Sequence, residues 1–456
     1  MATRREVITG LVGGALAAAI GSGQAVAASN VAGTELRGSI DAAKAGILPG
    51  ASDNVSRRMQ ALLDEAAAKG LEVFLPPGNY SVSNLILPDG TRLSGVPGAT
   101  RLSYSGDGHL IAAADTARID IADIVLDGAN RWLGDHTEAL LSFRNVADLR
   151  IVNCEIAGSR KHAVSLERCG GRFEDNRVTG AALAALISHE GKALSVTGNH
   201  ISDCGNGGIL VHRWTKGADE SVISGNRIAR IAANDGGTGQ NGNGINLFRA
   251  DNVIVSGNHV SDCAFSAIRA NSSSDVQITG NQCLRSGETA IFVEFAFEGA
   301  IVSSNLVDGA ANGIVAVNFN EGGRLASVGG NVIRNLSLKG PYPNDEAGFG
   351  IGISAEADTA ISGNVIENAP RAGLMIGWGP YLRNVLASDN IIRGAPVGIA
   401  VSVVEGAGTA MLSGNLIEGA KDGAIVGYRW KDRATGDLVT GGDAPAPLVV
   451  EGNRAL

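Results

Sequence analysis

"SVTGNHISDCGNGGILV", residues Ser195–Val211, alternates apolar with polar residues, breaks at Gly198-Asn199, and restarts after a second glycine pair. "SVISGNRIARIA" (Ser221–Ala232) and "NVIVSGNHVSDC" (Asn252–Cys263) repeat the scheme. An apolar period of two marks strands; a helix would space its apolar residues by three and four. The recurring asparagines are Asn153, Asn176, Asn199, Asn226, Asn258, Asn281, Asn305, Asn331, Asn364, Asn390, Asn415 and Asn453. Most intervals between them lie in the twenties, which is a solenoid period. After most of them comes Gly or Ala followed by Ile, Leu or Val, as in "GILV", "GINL", "AIFV" and "GLMI".

Each unit therefore predicts one turn of a parallel β-helix: a strand, a Gly-Asn corner, a second strand, then the Gly-Ile strand. Successive turns pair strand on strand at about 4.8 Å. At the corner, glycine supplies a left-handed backbone, and the Asn amide is placed to bond the Asn above and below it. These asparagines are architecture, not an active site. Leucine-rich and helical repeats are excluded, because no LxxLxLxxN framework occurs.

Composition agrees with this reading. There are 64 glycines against 12 prolines, too little proline for collagen, and 44 % hydrophobic residues is too many for a disordered chain. The net charge of −9 argues against nucleic acid as a partner, since that is held chiefly by Lys and Arg. The five cysteines form no CxxC pair and read as small core residues, with pairing left open.

The start of the chain carries Arg4-Arg5, a short apolar stretch from Leu11 to Ile20, and Ala25-Val26-Ala27. That pattern predicts a twin-arginine export signal over residues 1–27, with the export machinery as a partner through Arg4 and Arg5. The product is expected in the periplasm or outside the cell. No apolar run is long enough to predict stable membrane insertion. Residues 28–70 form an N-terminal segment with a capping helix, whose Val55, Met59, Leu62, Leu63 and Ala66 share one face before Gly70. Residues 71–456 are the β-helix. Two long intervals, before Gly244 and before Gly350, insert at the same corner and predict loops along one edge. A third insertion, Arg429–Pro447, precedes the last turn and is expected to cover that end.

The Ala- and Leu-rich helix, "LEVFLPPGNYSV" and "IDIADIVLDGAN" together resemble the opening of the pectate-lyase-like right-handed β-helix proteins. The "TRRE" leader with its "SGN" turns is similar to a set of twin-arginine-exported repeat proteins. The resemblance spans nearly all of residues 50–456. It implies an all-β, single-stranded right-handed parallel β-helix, and work on carbohydrate. The superfamily includes pectate lyases, polygalacturonases, alginate epimerases and phage tailspikes. Their motifs are absent here: there is no Asn-x-Asp, Asp-Asp, Gly-His-Gly or Asp-Pro-His, and no acidic cluster suited to calcium. Arg429-Trp430-Lys431 matches Arg-x-Lys alone, near the wrong end of the chain.

A positional argument remains. If the first apolar residue of each Gly-Ile strand points inward, as does the residue two later, the outward residues form a stripe. It runs through Ser165, Glu167, His189, Glu190, His212, Arg213, Trp214, Asn246, Phe248, Arg249, Arg269, Asn271, Glu294 and Phe295, then on to Asn318, Phe319, Trp378 and Tyr428. Aromatic faces suit pyranose rings, Arg and Asn suit hydroxyls or a carboxylate, and His or Glu suits proton transfer. His189, His212 and Glu294 are the catalytic candidates. Arg213, Trp214, Asn246, Arg249, Arg269 and Asn271 are the substrate-binding candidates. No metal and no cofactor is expected. The expected function is action on polysaccharide as a lyase, epimerase or hydrolase; the alternative is a non-catalytic glycan-binding or cell-envelope scaffold.

Overall fold

The computed structural model describes residues 38–50, 53–343 and 348–456. The expected leader, residues 1–27, lies outside them. Each turn contributes three strands, for example Lys192–Thr197, His200–Cys204 and Gly207–Ala218. We call the faces built from them the first, second and third. Each strand pairs in parallel with its counterpart one turn away, as in Ser195↔Val222, His200↔Arg227 and Ile209↔Ile245. Among the described strands the one antiparallel pair is the hairpin Gly423–Arg429 with Asp432–Asp437. Inward Ile, Leu and Val fill one continuous core from Ala42 to Leu448.

The corner works as the repeat implies. Gly198, Gly225, Gly257 and Gly280 have φ between 63° and 70°, where an L side chain is strained. The next residue, Asn, turns its amide inward. Asn305 Nδ2 donates to Asn331 Oδ1 at 3.0 Å and to the Ile278 carbonyl at 2.9 Å, while the Asn305 backbone N–H donates to the same Oδ1 at 2.9 Å. This pattern runs unbroken from Asn176 to Asn453. Asn153 is a correction to the expected ladder. It takes the left-handed corner position at φ 53°, and Cys154 follows in the ladder site, giving its N–H to Asn176 Oδ1. Asn tolerates that backbone, so "VNC" closes the corner one residue out of step.

The glycine of Gly-Ile has a different cause. A Cβ on Gly352 would lie 2.4 Å from the Gly373 carbonyl oxygen and 2.7 Å from Ile366 Cγ2, and Gly313, Gly373 and Gly398 are equally confined. Here the third face turns in against the second-face isoleucines, and only a hydrogen fits well. Gly352→Ala is expected to destabilise the fold by about 1–3 kcal/mol through overpacking, read from the urea unfolding midpoint. An unchanged midpoint would sink this account.

The helix expected before Gly70 is present. It is α1, Ser56–Ala68, with Met59, Leu62, Leu63 and Ala66 buried in the common core and Gly70 at φ 64° just beyond it. The stack nevertheless begins earlier than residue 71. Ser39–Asp41 pairs in parallel with Glu72–Phe74, a three-residue strand too short to show a period. Both inserted loops do leave the corner between the second and third faces, after Arg227–Ile231 and after Val332–Arg334. The third insertion supplies the second strand of the hairpin, and its Leu438 joins the core, as does Leu448 just after it. All five cysteines are free and buried; burial pushes the Cys154 thiol up to about 12 and those of Cys169 and Cys204 up to about 11. No helix among the described residues is long and apolar enough to cross a membrane.

Candidate functional site

The third face carries two outward columns. One runs Asn246, Arg269, Phe292, Val315, Ser354, Met375, Ala400. The other runs Glu167, His189, His212, Phe248, Asn271, Glu294. The outward stripe read from the sequence is therefore a real surface, because parallel in-register pairing stacks like positions. Loops border it on both sides. The second–third corner bears the two insertions; the third–first corner bears the Arg213–Lys216 excursion, the turn Phe319–Glu321 and the Gly423–Asp437 hairpin.

The structure divides the sequence-derived candidates into two groups. In the first, Arg269 donates to Glu294 Oε1 at 2.5 Å and Asn271 Nδ2 donates to the same oxygen at 2.9 Å. Glu294 is 3 % exposed and Arg269 9 %. Asn246 lies one rung from Arg269 and is also buried. Arg269 Nη1 and Asn246 Oδ1 are buried without a hydrogen-bond partner among the described residues. Burial raises the Glu294 carboxyl, and Arg269 offsets part of that.

The second group lies two or more rungs above Glu294. His189 and His212 stack edge to face at 5.8 Å, and His212 meets Phe248 in the same way. Burial lowers His189 and drives His212 down to about 3. His212 is thus a neutral imidazole, with Nε2 buried and without a partner among the described residues. Arg213 is paired with Glu190 at 2.7 Å, and Arg249 lies over Phe248 with Nη1 on the Trp214 carbonyl.

Sequence reasoning missed Glu356. It follows Ala355, which stands in register below Ala316 and Val293, so Glu356 sits two rungs below Glu294 on the same column. "GFGIGIS" holds Gly-Ile twice; pairing shows that Gly352-Ile353, not Gly350-Ile351, is the aligned pair, because Ile353 meets Ile314. Counting outward positions from Ile353 would have found the residue. Glu356 Oε2 accepts the Phe319 N–H at 2.7 Å, the side chain forms no salt bridge among the described residues, and burial drives its carboxyl up to about 7.

Glu294 and Glu356 line one cavity of about 450 Å³ together with Phe292, Asn312, Tyr342 and Trp378. Tyr342, from the second inserted loop, is fixed at the cavity wall by donating to the buried Glu288. Met375 and Trp378 also line a second cavity of about 240 Å³, with Arg371, Tyr428, Trp430 and Lys431. The hairpin lays Trp430 directly over Gly379, edge to face with Trp378 at 5.8 Å. The two cavities adjoin at Met375 and Trp378, with two buried carboxyl groups in one and Tyr428 and Trp430 lining the other. Among the described residues no three His, Cys, Asp or Glu side chains converge to hold a metal.

A family model described as the right-handed β-helix region matches residues 139–333. Over those residues the chain is similar to the right-handed β-helix family. Solved structures agree on the fold. The A-module of the mannuronan C-5 epimerase AlgE4 from Azotobacter vinelandii is 17 % identical with a TM-score of 0.54, over 79 % of this chain and 96 % of that one. Gene product 12 of bacteriophage phi29 is 13 % identical with a TM-score of 0.54, over 86 % of this chain and 55 % of that one. No curated protein matches the chain significantly. At these identities the β-helix shares an architecture with its neighbours and nothing finer.

Proposed function

We propose that the groove between Glu294 and Trp430 binds a polysaccharide and cleaves a glycosidic bond, with Glu356 as the proton donor. The observation that carries this reading is the asymmetry of the two carboxyl groups in one cavity. Arg269 and Asn271 bond the Glu294 carboxyl and offset part of the rise that burial causes, whereas Glu356, with no salt bridge among the described residues, is driven up to about 7 and keeps its proton near neutrality. A pair so unequally supported by cations suits a division into acid and carboxylate. Two rungs separate their Cα atoms by roughly 9.6 Å, a spacing that leaves room for a sugar oxygen or a water between the carboxyls. Trp378, Trp430 and Tyr428 supply apolar faces for pyranose rings. That the fold also carries a mannuronan epimerase supports a polysaccharide as substrate.

The test is a panel of polygalacturonate, polymannuronate and 1,3-glucan. Release of reducing ends reports hydrolysis, and absorbance of an unsaturated uronate reports elimination; both need an acid at the leaving oxygen. Binding without turnover would replace this reading with the scaffold one. In the same proposal α1 covers the N-terminal end of the core, and residues 1–27 direct export by the twin-arginine route. Arg4→Lys with Arg5→Lys should then hold the chain in the cytoplasm on cell fractionation, and unchanged export would remove that part.

A further inference from the structure

We infer that Trp214 forms a second, remote subsite for the same saccharide chain, which makes the substrate a long polymer and not a short oligosaccharide. The inference rests on the reading of the lower groove. Pairing between Gly207–Ala218 and Asn243–Asp251 holds to His212↔Phe248 and resumes at Gly217↔Ala250, so Arg213–Lys216 stand outside the ladder. An excursion of this kind re-aims side chains without breaking the stack. It presents an indole that is 50 % exposed.

Its backbone is anchored on both sides of the residue and its ring has two neighbours. The Trp214 backbone N–H donates to Glu190 Oε1 at 2.8 Å, and its carbonyl accepts from Arg249 Nη1 at 2.8 Å. The ring stacks on His189 at 5.9 Å with 16° between planes, and the Arg168 guanidinium lies 4.9 Å from the ring centre. Glu190 is itself fixed by Arg213. Ordering a large apolar side chain while leaving half of it in water gains the fold little. Pre-organisation lowers the cost of binding something against it.

The position points to the same ligand. His189, under the ring, is six rungs above Glu356, roughly 29 Å along the same column. At its far end the excursion reaches the lower groove directly, because Lys216 Nζ donates to the carbonyl of Ala296, beside the cavity residue Phe295. A chain seated between Glu294 and Glu356 and running up the face would meet Trp214 several sugars away. No di- or trisaccharide could touch both.

The experiment compares Trp214→Ala and Trp214→Phe with the unaltered chain, using size-graded fractions of whichever polymer in the panel is turned over. For long fractions Trp214→Ala should raise KM about tenfold with kcat unchanged, the mark of lost uniform binding. For trisaccharides it should change nothing, and Trp214→Phe should restore most of the affinity. An equal effect on long and short substrates, or none on the long ones, overturns the inference. If nothing is turned over, quenching of intrinsic tryptophan fluorescence by graded polymannuronate and polygalacturonate decides it: length-dependent binding lost in Trp214→Ala supports the subsite, and length-independent or absent binding overturns it. Failure of the acid assignment reads differently, as activity persisting in Glu356→Gln at every chain length.

Discussion

Glu356→Gln is expected to remove turnover on long and short substrates alike, by about 10²–10⁴-fold in kcat, the usual contribution of a positioned general acid. Glutamine keeps the volume and still accepts the Phe319 N–H, so the cavity is retained while the transferable proton is lost. In the unaltered protein kcat/KM should fall as pH rises past about 7, where the carboxyl ionises. The same shift has a sign in stability. The carboxyl titrates near 4.5 when unfolded and near 7 when folded, so the native state holds its proton more tightly. The resulting stabilisation is complete below pH 4.5 and is lost as pH rises to 7, about 3 kcal/mol in all. Glu356→Gln has no such proton to lose. Its Tm advantage over the unaltered chain should grow between pH 4.5 and 7 and level off above. Taking the difference between the two proteins removes the parallel contributions of Glu288, Glu294 and Asp219, which are also raised by burial. Parallel Tm curves would show that Glu356 is already ionised in the native protein, and the acid role would fall with it.

The second large effect belongs to the fold. Asn305→Ala should cost about 3–5 kcal/mol, because it orphans buried groups that water cannot reach. The Asn281 N–H loses its acceptor Asn305 Oδ1, and the Ile278 carbonyl loses its donor Asn305 Nδ2. Asn305→Asp should be at least as damaging, since a carboxylate cannot donate to Ile278 and would face Asn331 Oδ1. Asn453→Ala is the control. It ends the ladder at a partly exposed position, where water replaces the lost partner of Asn415, and should cost under about 1 kcal/mol. Urea unfolding measures all three. Because each turn touches only its neighbours, hydrogen exchange should also show the Asn305→Ala loss concentrated in the adjacent turns. Equal costs at Asn305 and Asn453 would mean that the ladder contributes little.

The sequence determined the β-helix because its signals are local and repeated. Gly198-Asn199 needs a left-handed φ and then an inward amide, and both requirements are met within two residues and recur at each turn from Asn176 onward. The alternation that puts Ile245 and Leu247 inside also puts Asn246 and Phe248 outside, so the stripe was legible before any coordinate. Which members of the stripe act together was not. His212 and Glu294 look alike as outward residues. Yet the first is a neutral ring three rungs away, and the second is locked to Arg269. Glu356 was hidden by "GIGI", where either dipeptide satisfies the local pattern and only the pairing of Ile353 with Ile314 chooses. Asn153 and Cys154 were exchanged for the same reason. Turns here vary in length, so sequence distance does not convert into height along the stack. The hydrogen-bonded register alone sets which side chains share a rung, and burial beneath the inserted loops and the hairpin then sets their charge.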